Sequence, residues 1–176
     1  MYSTYFPPHY SGAAKQAISL AKKLRDLGHE IEFITVRRQG ESYSAEYEGF
    51  KVWRIREGRR KHREFLFWWN LFQFVWRRRR DFDILHSHGA YYYNSIIGPL
   101  ARLFGKKSLV KTSLANNDLS GLDEGIAGRL HRCFLNQVDI YVAISQELVD
   151  EFTGLGFPDE RVLFIPNCVD TDRFQP

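Results

Sequence analysis

Short apolar segments alternate with longer amphipathic ones along the chain, and this alternation predicts the secondary structure. The six candidate strands are residues 31–36, 50–55, 83–87, 108–112, 139–144 and 162–165. Several are rich in Ile, Val and Phe, as is typical of strands covered on both faces. The five candidate helices are residues 12–27, 63–80, 91–104, 125–136 and a segment from the N-cap candidate Ser145 to about Gly154. This pattern predicts an α/β fold with a doubly wound, mainly parallel sheet of about six strands and helices on both faces.

The two ends of the predicted domain depart from this pattern. Only Met1 to Phe6 precede Pro7 and Pro8, so we expect the first strand to be short or missing. At the other end, the chain stops at Pro176 just after an extended apolar and polar run. We therefore expect residues 1–176 to be one domain that is cut at both ends.

Composition indicates a globular, soluble chain. It has 176 residues, of which 44% are hydrophobic and 26% charged, enough for one core. The two cysteines, Cys133 and Cys168, are too few for a disulfide framework and favour a reducing compartment. There is no signal peptide and no apolar run of the roughly 18 residues that a membrane span requires. We expect a cytoplasmic protein, with contact to a membrane only at its surface.

The net charge of +4 hides a strong asymmetry. Residues 51–80 contain eleven basic and two acidic residues, a net charge of +9, while the other residues contain fourteen basic and nineteen acidic ones, a net charge of −5. The chain is therefore an acidic body with one basic segment. This excludes the uniform basicity of proteins that coat nucleic acid.

The basic segment also contains an aromatic helix. Residues 65–76 include seven aromatic residues among twelve, and on a helix five of them form one stripe: Phe65, Trp68, Trp69, Phe72 and Trp76. One interpretation is a crossover helix packed on the sheet, with a solvated basic end. The other is contact with an anionic membrane surface. The residues predicted to make that contact are Trp68, Trp69, Trp76, Arg77, Arg78, Arg79 and Arg80. Nucleic acid is not expected as a partner, because aromatic residues that stack on bases line a groove.

Ligands of doubly wound sheets bind at the carboxyl ends of the strands, and three segments there are polar. In the first, residues 7–12, Gly12 allows close approach of the backbone at a helix N-terminus, which suits a phosphate group. A plain turn is the alternative. The segment lacks the G-x-G-x-x-G pattern, so no nicotinamide or flavin cofactor is expected.

The second segment contains His86 and His88, which share one face of a strand end. Here His88 is nearer the tip and better placed for a ligand. The alternative is one satisfied core histidine and one surface histidine. A metal site is not expected, because no third ligand has a suitable spacing.

The third segment follows Thr112 and contains Asn116, Asn117 and Asp118. Its hydrogen-bonding side chains suit sugar hydroxyl groups. The alternative is turn chemistry, since Asn and Asp favour turns in any case.

Five stretches, in this order and spacing, carry a family resemblance across nearly the whole chain. They are YFPPHYSGA (residues 5–13), AKKLRDLGHEIEFIT (21–35), DILHSHG (83–89), VAIS (142–145) and RVLFIPNCVDTDRF (161–174). Together they resemble the N-terminal domain of family-4 retaining glycosyltransferases of the GT-B fold, whereas residues 40–80 match poorly. The resemblance implies a single Rossmann-like domain at residues 1–176, with the C-terminal donor domain absent.

The resemblance also implies a function. The N-terminal domain of this family binds the acceptor, so the chain is expected to be the acceptor-binding half of a glycosyltransferase of the hexosyltransferase type. Such an enzyme transfers a sugar from a nucleotide sugar to a glycan or lipid-linked acceptor, with retention of configuration, in polysaccharide or glycolipid assembly. No cofactor and no metal are implied. The alternative is an inactive binding module or a truncated remnant that pairs with a separate donor-domain chain, and the isolated chain is expected to be inactive.

Site residues are implied position by position. The resemblance gives His88 the catalytic role, Ser11 and Gly12 the loop beside the donor diphosphate and acceptor, and Asn167 and Asp170 the interdomain hinge. The acceptor-binding residues are expected to be His9, Tyr10, His86, Tyr91, Thr112, Asn116, Asn117 and Asp118. The chain departs from the family pattern where Ser11 and Cys168 replace glycines, Leu114 replaces a histidine, and Ala14 and Lys15 stand where a glutamate is common.

Overall fold

The computed structural model describes residues 1–9, 12–58, 63–89, 94–114, 119, 121–122 and 124–167, in which α-helices alternate with the strands of one sheet. The strands are β1 Tyr2–Ser3, β2 Glu32–Arg37, β3 Ser44–Tyr47, β4 Phe50–Arg56, β5 Ile84–His88, β6 Lys107–Lys111, β7 Ile140–Ala143 and β8 Val162–Phe164. The helices are α1 Gly12–Asp26, α2 Arg63–Arg77, α3 Ile97–Leu103, α4 Gly125–Leu135 and α5 Gln146–Gly154, with a 3-10 turn at Asp159–Arg161.

The sheet has the strand order β3-β4-β2-β1-β5-β6-β7-β8, and every pairing except that of β3 with β4 is parallel. The short β1 lies at the centre, with Tyr2 opposite Ser87 and Ser3 opposite His88. On one side of β1 the next strand is β2, and on the other it is β5. This reversal is the topological switch point, where the carboxyl ends of neighbouring strands open into a crevice.

Helices pack on both faces of the sheet. On one face, Ala14, Ala17 and Ile18 of α1 pack against Phe33 of β2 and Val52 of β4. The next residue of β2, Ile34, points to the other face, since side chains alternate along a strand. There it joins a core formed with α2 and α3, and a third cluster around Tyr141 extends the sheet's packing to α5.

The predicted fold class is confirmed, with eight strands instead of about six. The first strand is short, as expected, and β3 is additional. Its sequence, Ser-Ala-Glu-Tyr, is too polar to stand out as a strand. A tight turn at Glu48 and Gly49, both with positive φ, returns the chain into β4 and makes β3 an antiparallel edge strand.

Helix ends follow local chemistry. The predicted cap of α5 is confirmed, because the Ser145 hydroxyl accepts a hydrogen bond from the Leu148 N–H at 3.3 Å. Two helices are shorter than predicted. The regular part of α3 starts only at Ile97, and α2 ends at Arg77 rather than at Arg80, with residues 78–80 in a turn. Among the described residues, no helix is both long and apolar enough to cross a bilayer.

Candidate functional site

The switch point brings a pair of histidines to the carboxyl end of β5. The rings of His86 and His88 stack with their centroids 4.3 Å apart, because residues i and i+2 of a strand share one face. His88 is 4% exposed. Within the described part of the chain, neither buried Nε2 atom has a hydrogen-bond partner. The structure therefore matches neither half of the alternative reading, a satisfied core histidine beside a surface one.

The burial of the two rings keeps them uncharged. Burial is the main cause that lowers the pKa of His86 from 6.5 to about 3, and nearby positive charge, including Lys111, adds to it. Burial also holds the pKa of His88 well below 6.5, reinforced by His86 and Lys111. Each imidazole is thus neutral near pH 7, when it has one donor and one acceptor nitrogen. Such a pair can hydrogen-bond hydroxyl groups but cannot supply positive charge.

A buried amide fixes the backbone just after the histidines. The Asn94 side chain is fully buried and donates to the Ser87 hydroxyl at 2.6 Å and to the carbonyls of His88 and Gly89. It also accepts a hydrogen bond from the Thr4 hydroxyl at 3.3 Å, which joins the ends of β1 and β5. Gly89 has a φ of 104°, and a Cβ there would lie 3.2 Å from the Asn94 amide nitrogen. Sequence patterns did not single out Asn94, because its role depends on contacts across the fold.

The N-terminus of α1 points to the same edge, because a helix that follows a parallel strand runs back antiparallel to it. Its first turn has no acidic residue, so no carboxylate of that turn opposes an anion there. Gly12 is exposed, and a Cβ at this position would meet no described atom within 4 Å. The helix end therefore has open space at Gly12, and the positive end of its dipole favours an anion.

Lys111, at the carboxyl end of β6, links this strand to the segment that follows β8. Lys111 lies opposite His88 in the sheet, and its ammonium donates to the Asn167 side chain at 2.7 Å. Asn167 is thus bound to β6, the strand next to the histidine strand β5, and a hinge role for it stays a prediction. Sequence reasoning missed Lys111, which is one of three polar residues in the five-residue strand β6 and therefore does not stand out.

A cluster of charged side chains lies on the other side of the carboxyl edge of the sheet, beside β4. Arg54 of β4 is 8% exposed, and its Nε lies 3.5 Å from a carboxylate oxygen of Glu41. The same carboxylate group accepts from the Arg38 backbone N–H at 2.7 Å and lies 3.4 Å from the His9 Nε2. The predicted acceptor residue His9 is therefore tied to the loop between β2 and β3. The signal that could have revealed this cluster is an arginine in the apolar strand β4.

Thr112 does not fit its predicted role. It is fully buried, and its hydroxyl donates to the Val142 carbonyl at 3.2 Å. The hydroxyl therefore joins β6 to β7 and does not face the edge. The remaining predicted site residues lie outside the described residues: Tyr10, Ser11, Tyr91, Asn116, Asn117, Asp118 and Asp170. In the part of the chain that the structure covers, no cluster of metal-ligating side chains is present.

A family model shows the family to which the chain belongs. The model described as "Glycosyl transferase 4-like domain" matches residues 11–168. The chain belongs to this glycosyltransferase family. The predicted membership of the family-4, GT-B N-terminal type is thereby confirmed. No curated protein sequence matches the chain.

Solved structures of the same architecture are similar to this glycosyltransferase domain. The structure of Anabaena HepE in complex with UDP-glucose matches with a TM-score of 0.63 and 13% identity over 97% of this chain. HepE in complex with UDP and glucose matches with a TM-score of 0.62 and 14% identity over the same share. At these identities the match establishes the fold. The domain spans 44% of the length of each of these HepE chains.

Proposed function

We propose that this domain is the acceptor-binding half of a retaining glycosyltransferase that uses a nucleotide sugar as donor. The observation that carries the proposal is the neutral histidine pair at the switch point, with a buried His88 Nε2 that no described residue satisfies. Buried polar atoms normally have a partner, so an unsatisfied one at a ligand edge indicates a ligand. A sugar hydroxyl is a suitable partner, because it both donates and accepts.

In the proposed reaction, the acceptor oxygen bonds to the anomeric carbon of the donor sugar, and the bond from that carbon to the diphosphate breaks. The acceptor hydroxyl gives its proton to an oxygen of the departing diphosphate, so the step balances. The N–H groups at the start of α1 stabilise negative charge on the departing diphosphate. His88 holds the reacting sugar or acceptor hydroxyl in position. The nucleotide sugar as donor is supported by the HepE structures, which hold UDP and UDP-glucose.

The proposal is tested by sugar transfer with the full-length protein. Labelled UDP-glucose is supplied with a mixture of glycans and lipid-linked saccharides, and the product is analysed by NMR for its anomeric configuration. We expect an α-linked product from the α-linked donor. We expect His88→Gln to lower kcat by about 10²-fold or more, because the sugar loses its positioning contact.

The matched control is His29→Gln, because His29 is an exposed histidine just after α1. We expect this variant to retain wild-type kcat. A β-linked product would exclude retention, and wild-type activity of His88→Gln would exclude the proposed role of the histidine pair.

A further inference from the structure

The outward side of α2 exposes several large aromatic side chains. Phe65, Trp69 and Trp76 are 67%, 52% and 50% exposed, and Phe72 lies between them on the same stripe. The sheet is covered instead by the opposite side of α2. That side consists of Phe67, Leu71, Phe74 and Val75, each at most 8% exposed. Three residues of the aromatic stripe predicted from sequence, Phe65, Trp69 and Trp76, therefore face solvent.

The exposed rings form a continuous surface that reaches a second helix. The centroids of Trp69 and Phe72 lie 5.6 Å apart, and those of Phe72 and Trp76 lie 5.9 Å apart. Trp76 also contacts Phe104 at the end of α3, with a centroid distance of 5.8 Å, and the preceding Leu103 is 62% exposed. We call these residues the aromatic face: Phe65, Trp69, Phe72, Trp76, Leu103 and Phe104.

Arginines border the aromatic face. Arg77, Arg80 and Arg102 are exposed and have no carboxylate partner within the described ranges, while the Arg79 guanidinium lies 5.1 Å from the Trp76 ring centroid. The two carboxylates that follow α2 in sequence, Asp81 and Asp83, each lie beside another cation. Asp81 pairs with Arg78 at 3.0 Å, and Asp83 lies 4.0 Å from the Lys106 ammonium. The border of the face therefore carries uncompensated positive charge.

We propose that the aromatic face docks this domain on an anionic lipid bilayer, with α2 lying in the plane of the headgroups. Trp and Arg are suited to this position, because their apolar parts enter the interface while their polar parts stay hydrated. A helix of 15 residues offers a contact about 22 Å long. Anionic headgroups supply the negative charge that the surrounding arginines lack.

Two other occupants fit the surface less well. A second copy of the chain in a symmetric dimer would place the arginine borders of both copies against each other, which is repulsive. Single-stranded nucleic acid requires a groove with stacking rings, whereas these rings lie on the outer side of one helix.

The structure corrects two predicted membrane contacts. Trp68 packs inward, with its ring centroid 5.2 Å from that of His131 and 5.7 Å from that of Phe134. The Arg78 guanidinium is bound by Glu32 and Asp81 and lies 4.9 Å from the Trp53 ring centroid. Both side chains are engaged by other residues of the domain and are only partly exposed, so we leave them out of the aromatic face.

Docking in this orientation would also affect sugar transfer. This consequence, unlike the docking itself, rests on the proposed function. As a crossover between the parallel strands β4 and β5, α2 starts at the carboxyl edge of the sheet and ends at the opposite edge. The Phe65 end of the face therefore lies toward the edge with the histidine pair. A bilayer along this flank would present a lipid-linked acceptor to that edge.

Vesicle co-sedimentation of the full chain tests the docking. We expect strong binding to vesicles of phosphatidylcholine with phosphatidylglycerol, weak binding to phosphatidylcholine alone, and weaker anionic binding at high salt. The double variant Trp69→Ser with Trp76→Ser is expected to lower the partition coefficient by roughly tenfold or more. Leu27→Ser, an exposed apolar site at the end of α1, is the matched control and should bind as the wild type does.

A second pair of variants tests the charges without touching the rings. Arg77→Glu with Arg80→Glu is expected to lower anionic binding by at least roughly tenfold, whereas Lys15→Glu with Lys23→Glu on α1 should change it little. Equal binding to both vesicle types, or no binding, would overturn the proposal. So would dimerisation without lipid that the tryptophan variants abolish. Each of these results leaves sugar transfer to a soluble acceptor possible, so the two proposals fail separately.

Discussion

At the scale of single residues, the chain uses burial to control the protonation of its site. His86 and His88 alternate with Ser87, so both rings enter the same face while the serine bonds backward to Asn94. Burial removes the water that would stabilise a positive charge on either ring, and the pKa values of both rings are lowered as a result. The site therefore offers neutral hydrogen-bonding nitrogens at every pH at which cells operate.

This burial makes the fold sensitive to acid. In the unfolded chain His86 titrates near pH 6.5, and in the folded chain near pH 3, so the unfolded state binds the proton first as the pH falls. The stabilising contribution is complete above pH 6.5 and is lost progressively as the pH falls toward 3. From about pH 7.5 to about pH 5, we expect His86 alone to lower the free energy of unfolding by about 2 kcal/mol.

Urea unfolding at a series of pH values measures this loss. His86→Gln should flatten the acid limb of the stability curve, because glutamine has no proton to bind. The exposed His29→Gln should leave the limb unchanged. An acid limb equally steep in His86→Gln and wild type would contradict the assignment.

At the scale of elements, α2 shows why an aromatic pattern alone does not tell which side of a helix is buried. Its two stripes are nearly equally apolar, and the sheet selects the one with Phe67 and Leu71. The other stripe keeps its rings in contact with one another and with Phe104 of α3. The core and the exposed surface of this helix are therefore both aromatic.

The two stripes should differ sharply in their effect on stability. We expect Phe67→Ala to lower the free energy of unfolding by about 3–4 kcal/mol, because the ring is fully buried. Trp69→Ala should lower it by less than about 1 kcal/mol, since its ring is half exposed. Denaturant unfolding of both variants measures the difference. Equal losses, or a larger loss for Trp69→Ala, would reverse the assignment of the two sides.

The elements that could be predicted from sequence are those with strong local patterns. The strands β2, β4, β5, β6 and β7 each contain a short apolar stretch, and the caps at Ser145 and Gly28 are local signals. The polar strand β3 could not be predicted, because it depends on pairing with β4. The pairing of the two histidines could be predicted, because residues i and i+2 of a strand share one face. The Asn94 contacts and the Glu41–Arg54 pair could not be predicted, because they join residues that only the tertiary fold brings together.

At the scale of the whole molecule, the strand order places the proposed sugar site and the proposed docking face on different sides of one domain. The central β1 and β5 meet at the switch point, which directs the histidine pair and the start of α1 to the carboxyl edge. The aromatic face lies along the flank formed by α2 and the end of α3. A domain with this layout can bind a sugar at its edge while its flank rests on a surface.

The most direct test of the acceptor site is an NMR titration of the histidine ring signals in this domain. The ligands are a panel of methyl glycosides and, separately, UDP-glucose. We expect at least one glycoside to shift the His88 ring signal, with the His29 signal unchanged and with UDP-glucose binding weakly or not at all. Micromolar binding of UDP-glucose, with no glycoside shifting the His88 signal, would contradict the assignment of this domain to the acceptor.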